Sequence, residues 1–240
     1  MAVWLCAALA SAGEAAGATQ EHTLQVGALQ RAYRLHVPQT LGVAPPMPLV
    51  LVFHGAGGSP EQIERESRFS ELADRESFVV AYPAGWRRSW NDGRGADAVA
   101  AQGDNIDDVA FISAVIDEVA ANRRIDLKRV YATGISNGAM FSHQLGNRLS
   151  TRIAAIAPVA GGIPEPLLAG FASTDPVSVL IVHGSLDPLV PYGGGEVRVL
   201  GGARGRVAGA EESARQWSAH DRCTPIPVTE RAFDEAGDGC

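Results

Sequence analysis

Apolar positions along the chain fall into short runs whose spacing switches between two periods. Residues 22–37 alternate, with Leu24, Val26, Tyr33, Leu35 and Val37 as inward candidates, and predict a pair of strands. The proline-rich Pro45-Pro46-Met47-Pro48 leads into Leu49-Val50-Leu51-Val52-Phe53, a continuous apolar run that suits a strand buried on both faces. A helical stretch carrying Phe69, Leu72 and Ala73 follows, then a second buried strand at Phe78-Val79-Val80-Ala81-Tyr82. Residues 107–121 repeat at helical spacing through Val109, Ile112, Val115, Ile116 and Val119. Arg129-Val130-Tyr131-Ala132-Thr133 predicts another strand, and Met140, Phe141, Leu145 and Leu149 mark one face of the helix after it. Residues 153–157 and 177–182 are two further strand candidates. Residues 193–209 form a glycine-rich stretch expected to be a loop, 211–220 a last helix with Trp217, and 223–240 a polar, turn-rich tail. Strands alternating with helices imply an α/β domain: a mostly parallel sheet, helices on both faces, and functional groups at the carboxyl ends of the strands.

At 240 residues and 46% hydrophobic, the chain can bury a full core, and its length fits one α/β domain better than two. A net charge of −7 argues against a general nucleic-acid surface. Met1 to Ala10 is a short apolar run followed by small residues, and Ala16-Gly17-Ala18 offers a cleavage site, so residues 1–18 read as a secretory signal and 19–240 as the domain. No Lys or Arg precedes the run, and it is far shorter than the ~20 residues a membrane span needs. The expectation is a secreted or periplasmic protein with no membrane span. Loss of the signal removes Cys6 and leaves Cys223 and Cys240, which could close a disulfide worth roughly 3 kcal/mol in the chain-entropy model, or remain unpaired.

The chemistry concentrates at Gly134-Ile135-Ser136-Asn137-Gly138. It sits between a predicted strand and a predicted helix, the context of a nucleophile elbow, where a serine hydroxyl stands clear of the sheet. Ser136 is the expected nucleophile. Directly after the third strand run comes His54-Gly55-Ala56-Gly57-Gly58, whose glycines let backbone approach a substrate oxygen. The N–H groups of Ala56 and Asn137 are the expected oxyanion hole, with His54 orienting its loop. After residue 182 comes His183-Gly184-Ser185-Leu186-Asp187-Pro188, so Asp187 stands where a triad acid follows the elbow, although Asp-Pro is also a common turn. Asp107 and Asp108 open a helix and read as capping residues. No spacing suggests a metal site or a cofactor.

These motifs, with Ile106-Asp107-Asp108-Val109-Ala110-Phe111-Ile112, resemble those of the secreted polyhydroxybutyrate depolymerase and feruloyl esterase family of α/β hydrolases. The similarity runs from about Thr23 to the end of the chain. The resemblance implies an α/β-hydrolase fold, a serine esterase acting on polyhydroxyalkanoate-type, feruloyl or acetyl-polysaccharide esters, Ser136 as nucleophile and Asp187 as acid. It also implies that Trp90, in Ser89-Trp90-Asn91-Asp92, lies near the acyl cleft as a substrate contact, with His54 beside it. The family's catalytic histidine lies in a Gly-x-Gly-His-type stretch near the C-terminus, and no such stretch occurs here; His220 is the only histidine after Asp187. The chain is therefore expected to lack the final strand and the catalytic-histidine loop, and to be nearly inactive as a 240-residue piece. The alternatives are a binding protein that kept the scaffold and lost its base, or a serine peptidase of the same fold.

Overall fold

The computed structural model describes residues 17–39, 45–171 and 173–224. The expected signal, apart from its last two residues, and Cys240 with its possible disulfide lie outside the described residues; Cys223 is exposed. Seven strands form one sheet in the order β1-β2-β4-β3-β5-β6-β7. Strands β1 (Thr19–Val26) and β2 (Leu29–His36) are an antiparallel hairpin, and β2 runs antiparallel to β4 (Val79–Pro83). From there β3 (Met47–Phe53), β5 (Ile125–Ile135), β6 (Ala155–Val159) and β7 (Ser178–Val179) continue in parallel. This is the α/β-hydrolase fold that the alternating pattern and the resemblance implied.

Side-chain alternation on β3 assigns the layers. Leu49, Leu51 and Phe53 belong to the main core with Phe111, Ile112, Val115, Ile116 and Val119 of α4 (Asp108–Asn122). Phe141 and Leu145 of α5 (Asn137–Arg148) and Trp217 of α7 (Ala210–His220) join them. Val50 and Val52 point the other way, toward Ile63 of α1 (Pro60–Ser67) and Phe69 and Ala73 of α2 (Phe69–Glu76). The continuous apolar run of β3 thus reflects burial on both faces. Two short helices, α3 (Ala100–Gly103) and α6 (Glu165–Ala169), lie in the connections.

Two expectations change. Residues 193–209 are not a loop: β8 (Gly194–Val199) and β9 (Gly202–Ala208) pair as an antiparallel hairpin. Glycine masked the alternation there, while Val197 and Val207 are buried against Met140 and Val190. The strand expected over 177–182 narrows to Ser178–Val179 plus one bridge, Val159 to Val182, and leaves Leu180 and Val182 at 63% and 50% exposure. That strand is the outer edge of the sheet.

Candidate active site

Strand β5 ends at Ile135 and α5 begins at Asn137, so the chain reverses direction at Ser136. Its backbone is held at φ 56, ψ −116, an arrangement that costs of order 1–3 kcal/mol for a residue with a Cβ. Close packing imposes it. A Cβ on Gly138 would lie 2.5 Å from the Phe53 carbonyl oxygen and 2.7 Å from that of His54, so only glycine lets the helix start press against the end of β3. The Ser136 N–H donates to the Val159 carbonyl at 2.9 Å, fixing the turn to β6. Ser136 is half-buried, and among the described residues its hydroxyl has no hydrogen-bond partner.

Facing it is the loop after β3. Gly57 N–H donates to the Arg88 carbonyl at 2.7 Å and Gly58 N–H to the Gly55 carbonyl at 3.0 Å. The Ala56 N–H between them has no acceptor among the described residues. Asn137, first residue of α5, likewise has an N–H with no acceptor inside its helix. His54 is buried and committed: its Nε2 accepts the Gly85 N–H at 3.0 Å, which leaves Nδ1 to donate to the Gly55 carbonyl at 2.7 Å. Burial foremost, with the nearby Arg88 charge, holds its pKa below the usual histidine value. The ring therefore uses both nitrogens to set the shape of the loop, and it lines a cleft shared with Ala56 and Ser136.

Behind the serine lies a buried polar cluster. The Asn137 side chain accepts the Trp90 N–H at 2.8 Å and donates to the Trp90 carbonyl at 3.0 Å and to Asp92 at 2.6 Å. Asp92 also takes the Arg94 guanidinium at 2.8 Å, both side chains being buried. Asp108 pairs with Arg31 at 2.7 Å and accepts the Asn91 N–H at 2.8 Å, so it ties the 89–94 loop to α4 while Asp107 alone caps the helix through the Ala110 N–H. Trp90 is fully buried, stacked on Phe141 at 5.1 Å, with its indole N–H on the His54 carbonyl at 2.9 Å. Trp90 thus braces the loop and helix that carry Ala56 and Ser136 from beneath. Asp92 carried no signal in the sequence, because apart from Arg94 its partners, Gln102 and Asn137, lie in two other segments.

Asp187 follows the bridged end of the strand beside β6, on the same carboxyl edge as Ser136. One carboxylate oxygen accepts the Leu189 and Val190 N–H groups, both at 2.9 Å, and the other lies 3.6 Å from His183 Nε2. His183 donates to the Val190 carbonyl at 2.9 Å. His143 is wholly buried, donates to the Gly161 carbonyl and accepts the Trp217 indole N–H at 3.0 Å; burial drives its pKa down to about 3. His220, the last residue of α7, is half-buried between Asp221 at 2.7 Å and the Ser173 carbonyl at 2.9 Å. His36 meets Thr19 and Asp74, and His22 stacks on Tyr33. Among the described residues, which include all six histidines, none forms a hydrogen bond with Ser136. No three His, Cys, Asp or Glu side chains of the described residues gather as metal ligands, and no described helix is long and apolar enough to cross a membrane.

Residues 31–174 match the family model described as Esterase PHB depolymerase. A Nocardia uniformis subsp. tsuyamanensis protein named "Putative esterase NocK" is 36% identical over 73% of this chain and 51% of its own length. A bifunctional acetylxylan esterase/xylanase of Neocallimastix patriciarum is 35% identical over 66% of this chain and 22% of its own. Feruloyl esterase B of Piromyces equi is 30% identical over 75% and 33%. The chain thus spans about half or less of the length of these relatives. Among solved structures, a dienelactone hydrolase-like promiscuous phosphotriesterase from metagenomic libraries superposes with a TM-score of 0.60 at 23% identity, covering 86% of this chain and 78% of that one. A thermostable esterase gives 0.59 at 18% identity, over 85% and 52%. At these identities the structural matches speak for the fold.

Proposed function

Because the chain belongs to the Esterase PHB depolymerase family, we propose that it is the hydrolase domain of a secreted serine esterase that cleaves carboxylic esters through an acyl-enzyme on Ser136. The observation that carries the reading is the strained Ser136, its hydroxyl unpartnered and two unsatisfied N–H groups, those of Ala56 and Asn137, beside it. The hydroxyl oxygen attacks the ester carbonyl and loses its proton to a histidine, which returns it to the leaving alcohol. The oxyanion rests on the two N–H groups, where preorganised donors cost no rearrangement as charge develops. Water then attacks the acyl-enzyme carbonyl and gives a proton to the histidine, which passes it to the Ser136 oxygen as the acid is released. Asp187 keeps one oxygen for that histidine and uses the other to hold its own loop.

The reading calls for a histidine beyond the six of this sequence, because among the described residues none of the six forms a hydrogen bond with Ser136. Relatives named for feruloyl and acetylxylan esters suggest polysaccharide-linked acyl groups, and the family description suggests polyhydroxyalkanoates. The apolar run of the first ten residues and Ala16-Gly17-Ala18 support export. No cofactor enters these steps.

The test uses the whole protein with its natural C-terminus. A serine-directed phosphonate labels it, p-nitrophenyl esters are hydrolysed, and Ser136→Ala abolishes labelling and lowers kcat about a million-fold. An intact, folded protein that neither labels nor turns over esters is a binding relative, and one that cleaves a peptide anilide faster than the ester is a peptidase. Either outcome overturns the proposal.

A further inference from the structure

One side of Ser136 opens into a cleft of about 260 Å³ whose floor is Ala56, Ser136 and Asn137. Four arginines line it, Arg87, Arg88, Arg94 and Arg204, and no carboxylate does. Two of the four are already balanced: Arg94 by buried Asp92, and Arg87 by Asp104 at 3.3 Å. The other two have no carboxylate within ion-pair distance among the described residues. Arg88 spends only its Nε, on the Gly58 carbonyl at 3.2 Å, and Arg204 spends Nη1 on the carbonyl of its neighbour Ala203 at 3.0 Å.

The backbone of both is held by the site itself. The Arg88 carbonyl accepts the Gly57 N–H, and the residue sits at φ 63 in a tight turn. The Arg204 carbonyl accepts from the buried Arg94 at 2.8 Å, which hangs β9 over the cleft. Val99, Val197 and Val199 supply apolar wall to the same cleft. In a protein of net charge −7, two unbalanced guanidinium groups lining one cleft with a reactive hydroxyl run against the overall field. A guanidinium fork matches a carboxylate in shape and charge.

We propose that the Ser136 cleft selects anionic esters, those carrying a carboxylate separated from the scissile carbonyl by a short apolar spacer, with Arg88 and Arg204 as the specificity-determining residues. This substrate class rests on the ester-hydrolase reading of Ser136. It also states what the arginines do when no chemistry occurs: they bind a dicarboxylate.

The experiment compares matched pairs on the whole protein. p-Nitrophenyl hydrogen adipate is set against p-nitrophenyl hexanoate for the acyl side, and 4-carboxyphenyl butyrate against its methyl ester for the alcohol side, each corrected for spontaneous hydrolysis. The expected result is a kcat/KM about tenfold higher for the charged member of one pair, falling toward parity in 0.5 M salt and in Arg204→Gln and Arg88→Gln. The pair that responds tells which side carries the anion. Equal kcat/KM within both pairs overturns the inference while leaving the esterase reading intact. Should no ester turn over, titration of adipate by calorimetry decides: saturable binding that Arg204→Gln weakens about tenfold upholds the anion site, and absence of binding rejects it.

Discussion

Individual side chains here divide between those strained or unpartnered for chemistry and those saturated with partners. Ser136 and the Ala56 N–H belong to the first group, and His54, Asn137 and His143 to the second. The saturated histidines give the protein a predictable response to acid. An imidazole in the unfolded chain takes a proton near 6.5, whereas His143 in the fold does so only at about 3. Above pH 6.5 both states are neutral and nothing changes. As pH falls from 6.5 toward 3 the unfolded state gains a proton that the fold refuses, so stability drops by up to about 1.4 kcal/mol per pH unit from this residue. His54, also depressed, adds to the fall in the upper part of the same window. His220 acts on the other side: its pKa is raised, chiefly by its hydrogen bond to Asp221, so its contribution is present below 6.5 and is lost as pH rises through the folded value. Replacing His143 by Gln keeps a donor for Gly161 and an acceptor for Trp217 but removes the proton site. Urea unfolding of the two proteins at pH 7, 5 and 4 is expected to show a smaller loss of stability in His143→Gln, and parallel losses would refute the assignment.

At the level of elements, the β8–β9 hairpin is what closes the site over α5. Its Val197 and Val207 pack with Met140 of α5 and with Val190. The same hairpin carries Arg204 to the cleft. Truncating Val207 to Ala removes two buried methyl-sized groups, a loss of about 2 kcal/mol. For a domain of this size that corresponds to a Tm lower by roughly 4 to 8 °C. An unchanged Tm would mean that the hairpin rides on the domain without bracing it. Helix α5 is less forgiving, because its start touches the carbonyls at the end of β3 with no room for a Cβ at Gly138.

Over the whole molecule, the sheet is protected unevenly. At one end the β1–β2 hairpin turns its outer strand partly to solvent with alternating polar residues, Glu21, Thr23 and Gln25. At the other, the two-residue β7 leads to exposed Leu180 and Val182. An apolar edge with unpaired backbone groups is a template for association. Placing a charge there, as Leu180→Lys, is expected to lower light scattering of the concentrated 240-residue chain with a Tm shift of no more than a degree or two. Scattering equal to that of the parent chain would locate self-association elsewhere.

What the sequence determined by itself was whatever a local repeat can encode. The apolar runs at β3 and β4, the helical spacing of α4, and Gly134 to Gly138 between a strand and a helix were all legible, and they placed Ser136 and Asp187 on the carboxyl edge of a parallel sheet. The glycine-rich hairpin was not legible, because six glycines across 193–205 erase the alternation that announces strands. Nor were the burial of Trp90, the saturation of His54 or the convergence of Arg88 and Arg204. Each depends on segments tens of residues apart meeting in space. A side chain's partners across the fold leave no period in its own neighbourhood, so only the tertiary structure decides whether a polar residue is spent on holding the site or left open to act in it.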